Sequence, residues 1–216
     1  NFKLGYKGLI TDPYDGRTSI DAKLFASPGG LDPLNDDAAF DQARTGADAQ
    51  YAYARLEADR RAPLDLPPFD RKGELRFAFR GQYAPERLIG TERFIAGAAS
   101  RPRGYEASSF SGDYGYVGTV ELGLPSYQWQ LDGLGSNRLQ LSAFSDFGMV
   151  GNVDDRPGEQ ANEGFASLGL GLDYTLSRAV TLQASFAEDI AGVDESREQS
   201  FFVRLRTALD PLYDGW

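Results

Sequence analysis

The chain has 216 residues and a formal net charge of -10, from 32 acidic and 22 basic side chains. This acidic balance argues against a nucleic-acid partner, because phosphate binding depends on a basic surface. Cysteine and histidine are both absent, which excludes disulfides, thiolate nucleophiles, most zinc sites and every imidazole-based triad. We therefore expect neither an enzyme nor a cofactor, with carboxylate or Ser-Lys chemistry left open.

Alternation of polar and apolar residues runs through most of the sequence and predicts β-strands. No stretch has a helical period, and no apolar run reaches the length of about 18 residues that a transmembrane helix needs. We expect about ten strands, at residues 1–10, 19–26, 48–61, 74–83, 92–99, 116–124, 138–148, 167–176, 180–189 and 200–209.

The segment between the second and third predicted strands has a different composition. Residues 27–47 carry so many Pro, Gly, Asn and Asp residues that a regular strand is excluded. Four side chains in this segment suggest a cation-binding loop: Asp32, Asn35, Asp36 and Asp37. Their spacing does not match an EF-hand, so a solvated loop is favoured over a cation site.

The two faces of the predicted strands differ in charge. Charges of both signs recur on one face, while the other face of the cleaner strands carries only Leu, Phe, Val, Ile, Tyr, Ala and Gly. A charge on a lipid-facing side costs about 2 to 4 kcal/mol at mid-bilayer, and strands of about ten residues match a tilted span of the hydrocarbon layer. We therefore predict an all-β, antiparallel transmembrane β-barrel rather than a soluble barrel.

Two aromatic residues, Tyr127 and Trp129, follow the strand predicted at residues 116–124. They fit an aromatic girdle at a membrane interface and equally the ordinary packing of a loop. Both interpretations stay open.

The lengths of the connections raise one inconsistency. Turns on one side of a membrane barrel are short, and loops on the other side are extended. Counting strands back from residue 103 puts the long segment 27–47 on the same side as the short connection 86–91. Either a strand is miscounted or one periplasmic turn is long.

A loop rich in Gly and aromatic residues leads into the strand that carries Glu121. Within this loop, the run RGY at residues 103–105 places a forked cation beside a residue that permits positive φ and an amphipathic ring. Such a loop needs a carboxylate partner. The best candidate is Asp146, on the polar face of the run FSDFG at residues 144–148.

The RGY loop, the following SGDYGYVGTVEL and the F-x-D-x-G strand resemble the motifs of two-partner secretion transporters, the haemolysin activation/secretion family of outer-membrane barrels. Further similarity lies at residues 28–30 and 81–82 and in the strand starting at Glu92, so it covers most of the chain. The resemblance implies a barrel of about sixteen strands, of which this chain supplies roughly the last ten. A signal sequence, two POTRA domains and the first strands are then expected upstream.

The resemblance also implies roles for individual residues. The RGY loop folds back into the pore, where a loop-to-barrel lock fastens it: Arg103, Gly104, Tyr105 and Asp146. A motif of the barrel wall surrounds this lock: Glu121, Phe144 and Gly148. Polar side chains line the lumen: Glu74, Arg76, Arg80, Arg138, Arg204 and Arg206. The alternative, that Arg103 and Asp146 are two unrelated polar residues, stays open.

The implied function is export of one partner exoprotein, such as a haemolysin or an adhesin, across a Gram-negative-type outer membrane. Outer-membrane lipid and lipopolysaccharide are the other expected partners, and no metal or nucleic acid is expected. Neither a P-loop nor a nucleotide-binding Gly motif occurs, so the export is expected to need no ATP. A barrel-assembly factor of the same superfamily and a passive diffusion porin are the alternatives.

Overall fold

The structure, a computed structural model, describes residues 1–31, 35–96, 102–103, 105, 110–131, 135–154, 156, 162–176, 180–191 and 199–207. Within these residues the chain forms one short helix, α1 (Asp37–Ala43). The described strands are β1 (Phe2–Thr11), β2 (Arg17–Pro28), β3 (Gln50–Leu64), β4 (Gly73–Tyr83), β5 (Phe94–Ile95), β6 (Ser111–Gly112), β7 (Tyr114–Gly123), β8 (Tyr127–Leu131), β9 (Gly135–Gly151), β10 (Asn162–Leu176), β11 (Val180–Ala191) and β12 (Gln199–Thr207).

Antiparallel pairing joins these strands into one sheet that follows the order of the chain, β1-β2-β3-β4-β7-β9-β10-β11-β12. β9 pairs with β8 along its first part and with β7 along its second. The register shifts between these two pairings, as at a β-bulge, so β7 and β8 act as one interrupted strand. β5 and β6 form a separate small sheet. Within the described residues, β1 and β12 end the pairing order and do not pair with each other.

The cross-strand register sorts the side chains into two faces, because directly opposite residues point to the same side of a sheet. The polar face carries charges that lie opposite one another across β1 to β4: Lys7, Asp21, Glu57 and Arg80. The apolar face is exposed, and several of its large side chains are more than half accessible: Leu4, Leu24, Leu170, Phe201 and Leu205. In the described strands, the charged residues on this face are Arg60 and Glu188. The alternation in the sequence thus predicts the sidedness of the sheet correctly.

The connections differ between the two ends of the sheet. Those after β2, β4 and β9 are the longest, at residues 29–49, 84–113 and 152–161, and we call the end that they share the long-connection end. Two hydrophobic clusters lie there on the polar face. The first contains Phe40, Ala47, Ala49, Tyr51, Tyr53, Ala84 and Leu88. The second contains Phe94, Ala96, Tyr105, Phe110, Val117, Val150 and Phe165. The long connections therefore fold back over the polar face.

The strand predicted at residues 92–99 is wrong over its described part, residues 92–96. Only Phe94–Ile95 form a strand there, and this strand pairs with β6 outside the main sheet. The whole stretch between β4 and β7 is consequently one connection. This removes the inconsistency in connection lengths, because residues 27–47 and 86–91 both belong to the long-connection end.

The helix α1 was not predicted from the sequence. The Oδ1 atom of Asp36 accepts a hydrogen bond from the N–H of Ala39 at 2.8 Å and so caps the helix. Seven residues are too few for a helical period to stand out. No helix in the described part of the chain combines the length and the apolar character needed to cross a bilayer.

Tyr127 and Trp129 lie in a strand, β8, and not in a loop. Their rings are 5.4 Å apart between centroids, and Trp129 stacks on Tyr174 of β10 at 5.9 Å. The interpretation as ordinary loop packing is therefore wrong.

Candidate functional site

A polar row crosses four strands of the polar face. Its members lie opposite one another in register: Thr119 of β7, Asp146 of β9, Ser167 of β10 and Asp189 of β11. Opposite side chains in antiparallel strands are close enough to interact. Asp146 is 1% exposed, and Ser167 and Asp189 are buried as well. The connection between β4 and β7 contacts this row through Arg103 and Tyr105.

Arg103 binds Asp146 through both its backbone and its side chain. The Arg103 backbone N–H donates to Asp146 Oδ2 at 2.8 Å, and Nε donates to the same oxygen at 2.9 Å. Nη2 donates to Oδ1 at 3.0 Å, which makes the contact between guanidinium and carboxylate bidentate. The hydroxyl of Thr119 also donates to Oδ1, at 2.8 Å. This carboxylate therefore fixes both the position of the chain and the plane of the guanidinium.

Two side chains of the sheet, one from β7 and one from β9, also contact the guanidinium. Glu121 Oε2 accepts a hydrogen bond from Arg103 Nη1 at 3.0 Å. Phe144 lies opposite Glu121 in register, and its ring centroid is 3.2 Å from Arg103 Cζ. The hydroxyl of Ser167 donates to the carbonyl oxygen of Arg103. A planar, forked cation can bind two carboxylates and a ring face at once, which a lysine ammonium cannot.

Burial acts to lower the pKa of Arg103, but the hydrogen bonds and the charge of Asp146, together with those of Glu121, outweigh this effect. The pKa of Arg103 is therefore raised. The guanidinium therefore stays charged throughout the physiological range.

Tyr105 anchors the same connection to the next pair of strands. Its hydroxyl accepts a hydrogen bond from the N–H of Ala166 at 3.1 Å and lies 2.8 Å from the carbonyl oxygen of Ala191. The carboxylate of Asp189 is a further hydrogen-bond partner. These groups surround the point where the register of β10 and β11 shifts. A bulge leaves backbone groups outside the ladder, and the hydroxyl of Tyr105 binds to them.

Gly148 leaves room for the aromatic surface that supports Tyr105. A Cβ atom at this position would lie 2.3 Å from the carbonyl oxygen of Tyr116 and 2.5 Å from the ring of Phe165. Phe165 in turn packs edge-on against Tyr105, with 5.6 Å between the ring centroids. The missing side chain at Gly148 therefore lets the ring of Phe165 lie close to the sheet.

The structure brings most of the predicted site residues together around this connection: Arg103, Tyr105, Glu121, Phe144, Asp146 and Gly148. Gly104 lies outside the described residues. The residues predicted to line a lumen lie on the same polar face: Glu74, Arg76, Arg80, Arg138, Arg204 and Arg206. Arg76 pairs with Asp59 at 2.7 Å, and Arg80 donates to the carbonyl oxygen of Ile95. The role of these six residues as a pore lining stays a prediction.

The acidic segment before α1 uses its described carboxylates for backbone hydrogen bonds. Asp36 caps the helix, and Asp37 Oδ1 accepts from the N–H of Ala49 at 3.0 Å. Asp32 lies outside the described residues. In the part of the chain that the structure describes, no group of acidic side chains is arranged to hold a metal ion.

A second buried ion pair was not predicted from the sequence. Asp113 is completely buried, and its carboxylate pairs with the guanidinium of Arg44, with Nη2 3.2 Å from Oδ2. Arg44 also donates to Asn152 Oδ1 at 3.1 Å. These three residues lie in separate connections. No periodic pattern links them, so the sequence carried no signal for this pair.

The site lies within a stretch that matches a known protein family. No curated protein and no solved structure matches the chain. The model of one family, described as haemolysin secretion/activation protein ShlB/FhaC/HecB, matches residues 17–174. This range contains both the Arg103–Asp146 pair and the Arg44–Asp113 pair. The chain therefore belongs to the haemolysin secretion/activation protein family ShlB/FhaC/HecB, whose members are two-partner secretion transporters.

Proposed function

We propose that the protein is a transporter of a Gram-negative-type outer membrane that secretes and activates a partner exoprotein, such as a haemolysin or an adhesin, through a β-barrel pore. The observation that carries this proposal is the sorting of the sheet into a charged face and an exposed apolar face, with Arg103 bound to the charged one. Membership of the haemolysin secretion/activation family supports the same function.

The apolar face is the surface that we propose to contact outer-membrane lipid and lipopolysaccharide. Large side chains such as Leu170 and Phe201 are 65% and 72% exposed, and a continuous apolar surface of this kind is unfavourable in water. Contact with hydrocarbon removes that cost. The neighbouring rings of Tyr127, Trp129 and Tyr174 lie on this face at the end opposite the long connections, where they fit an interfacial aromatic girdle.

The polar face is the surface that we propose to line a water-filled lumen. Its side chains of mixed sign include Glu74, Arg76, Arg80, Arg138, Arg204 and Arg206. A lining with charges of both signs keeps water around an extended polypeptide. It repels as many segments of that polypeptide as it attracts, so it binds no segment tightly. Folding of the exoprotein outside the cell, and not hydrolysis of a nucleotide, would then supply the free energy for export.

We infer that further strands of the complete protein close the barrel between β1 and β12. The ten-stranded sheet has nine strands when β7 and β8 are counted as one. In a barrel of about sixteen strands, this chain would supply the last nine and not ten. Two POTRA domains would precede the first strands and receive the exoprotein in the periplasm.

The covered polar face makes a passive porin the weaker alternative. Arg103 and Tyr105 hold their connection against four strands of that face through several hydrogen bonds. A pore that only passes small solutes has no need of such an attachment. A barrel-assembly factor stays an alternative that secretion measurements can separate from a transporter.

The test compares secretion of the exoprotein by the complete wild-type protein and by its Asp146→Ala and Arg103→Ala variants. We expect either change to abolish secretion and to leave barrel insertion largely intact. Removing one partner of a buried ion pair costs about 3 to 5 kcal/mol, which detaches the connection without breaking any strand pairing. Exoprotein in the medium measures secretion, and heat-dependent gel mobility of the membrane fraction measures insertion.

Asp12→Ala is the matched control. Asp12 lies in the turn after β1 and also pairs with an arginine, Arg60 of β3. This variant is expected to secrete normally. Full secretion by Asp146→Ala and Arg103→Ala would contradict the proposed mechanism. Loss of other outer-membrane barrels from cells lacking the protein would favour the assembly factor.

A further inference from the structure

Asp113 lies where several segments meet at the long-connection end. Its buried carboxylate accepts hydrogen bonds from the backbone N–H groups of Leu88 and Val153 at 3.0 and 2.9 Å. The guanidinium of Arg44 binds both carboxylate oxygens. Gln82 Nε2 donates to the carbonyl oxygen of Asp113 at 3.0 Å. One residue therefore joins the connections after β2, β4 and β9 to the beginning of β7.

Two more arginines hold the same segments together. Arg87 donates to the carbonyl oxygens of Thr45 at 2.8 Å and Val153 at 3.1 Å. Arg93 donates to Asn152 Oδ1 at 2.8 Å. The junction is thus a network of buried and partly buried polar groups, with the buried carboxylate of Asp113 at its centre. Such networks lose much of their stability when one member is left without its partner.

Residues 35–49, which we call the α1 segment, pack onto the polar face. Phe40 of α1 contacts Tyr51, with 6.1 Å between the ring centroids. Tyr51 and Tyr53 stand on the polar face of β3, opposite Ser27 and Phe25 of β2. The α1 segment therefore covers part of the polar face at the long-connection end, where it contacts the connection that carries Arg103 through Leu88 and Asp113.

We propose that Asp113 and Arg44 are positioning residues that hold the α1 segment over the mouth of the pore at the long-connection end, as a second closing element besides the connection that carries Arg103. The inference rests on the proposed transport function, since it needs the polar face to line a pore. Without Arg44 or Asp113, an uncompensated charge is left buried. The attachment of the α1 segment is then weakened, while strand pairing in the sheet does not depend on Asp113.

These 216 residues contain no cysteine, so a cysteine introduced among them is the single thiol of this part of the protein. Ala47 in the α1 segment is 1% exposed, so the thiol of Ala47→Cys reports release of the segment. Gln42 lies at an exposed position of α1, so the thiol of Gln42→Cys gives the rate of maleimide labelling for a fully accessible cysteine. Maleimide labelling is timed on the purified full-length protein in detergent, where orientation in a membrane has no influence. We expect Asp113→Asn to raise the labelling rate of Ala47→Cys about tenfold or more.

Asp12→Asn is the matched control for this experiment. Asp12 accepts hydrogen bonds from Arg60 and from the backbone N–H groups of Tyr14 and Gly16. It therefore loses the same kinds of bond as Asp113, at the opposite end of the sheet. Its labelling rate at Ala47→Cys is expected to equal that of the wild-type background.

A second readout is the conductance of the full-length protein in planar lipid bilayers. We expect Asp113→Asn to raise the conductance at rest above that of the wild type and of Asp12→Asn, which a merely structural role of Asp113 would not do. Slow labelling of Ala47→Cys in folded Asp113→Asn would overturn the inference. Fast labelling in the wild-type background would also overturn it, because the α1 segment would then not be held.

Arg44→Gln is the variant to test if Asp113→Asn does not fold. It leaves the carboxylate of Asp113 in place, together with the two backbone N–H groups that donate to it. The same increases in labelling and conductance are expected for it. Failure of both variants to fold would overturn the inference, since the pair would then be required for the sheet and not for the position of one segment. Secretion by the wild-type protein tests the proposed transport function independently of these outcomes.

Discussion

Arg103 supplies three of the four hydrogen bonds that the Asp146 carboxylate accepts from the described residues. One of the three comes from the backbone N–H of Arg103, and the other two come from its guanidinium. The backbone bond fixes the path of the chain, and the side-chain bonds fix the plane of the guanidinium. A single carboxylate on β9 thus fixes where Arg103 lies on the sheet.

Arg103→Lys tests whether geometry or charge is needed at this site. We expect it to lose secretion as Arg103→Ala does, because an ammonium cannot bind Asp146 in bidentate fashion and lie flat on the ring of Phe144. Stability should fall by about 1 to 3 kcal/mol. Exoprotein in the medium and the midpoint of heat-induced unfolding provide the measurements. Arg204→Lys, which alters a cation near the ring of Phe202, is the control, and near-normal secretion by Arg103→Lys would show that charge suffices.

Gly148→Ala is expected to destabilise the sheet around β9 by overpacking. The added Cβ would lie 2.3 Å from the backbone carbonyl oxygen of Tyr116, which cannot move without disturbing the strand. Overpacking of this kind costs about 1 to 3 kcal/mol, measurable as a lower midpoint of urea unfolding. Gly90→Ala is the control, because a Cβ atom at Gly90 meets nothing within 4 Å. Equal midpoints for the two variants would refute this account of Gly148.

Leu170→Arg tests the proposed contact of the apolar face with lipid. Leu170 lies on that face and is 65% exposed, so a charge there should cost about 2 to 4 kcal/mol in a bilayer. Ser185→Arg places the same side chain on the polar face of β11, in register with Gly171, and should cost much less. Unfolding free energies in lipid vesicles measure the difference. Similar values for both variants would argue against lipid on the apolar face.

The turn after β1 provides a prediction about pH. The hydrogen bond from Arg60 is the largest effect that holds the pKa of Asp12 below its usual range, followed by those from the backbone N–H groups of Gly16 and Tyr14. Because the pKa is lowered in the folded state, the contribution of Asp12 to stability is complete above the unfolded value of about 3.9 and is lost as pH falls through the folded value.

We therefore expect Asp12→Ala to lower the unfolding temperature near neutral pH, and the difference from the wild type to shrink towards zero in acid. The effect should be small, since an exposed ion pair is screened by solvent. Thermal unfolding of both proteins across the acidic range gives the comparison. A difference that grows in acid would have the wrong sign for a carboxylate with a lowered pKa.

The strands of the sheet could be predicted from the sequence because each side chain has one of two clearly different environments. The prediction of residues 74–83 compares with Gly73–Tyr83 in β4, and that of residues 180–189 with Val180–Ala191 in β11. Polar and apolar residues alternate along these strands with a period of two. Position and sidedness both follow from that alternation.

The connections could not be predicted in the same way. Their side chains contact one another and do not alternate between a polar and an apolar face, so they leave no periodic pattern in the sequence. Residues 92–96 have a strand-like composition, but their short strand pairs outside the main sheet. The Arg44–Asp113 pair depends on two connections meeting in space, which no local pattern encodes. Arg103 and Asp146 were proposed as partners from their chemistry and from a family resemblance, and they are in contact. Their role in secretion stays a prediction.

The pairing order of the sheet has a consequence for the kinetics of assembly. Each main strand pairs with a neighbour in the sequence, so hairpins can form one after another with little loss of loop entropy. The two buried ion pairs join residues far apart in the chain and need finished strands to dock on, so they form late. In the proposed pore, the nascent protein would therefore pass through a leaky stage in which the strands have paired and the connections have not yet docked. The rate of this last docking step would set how long that stage lasts.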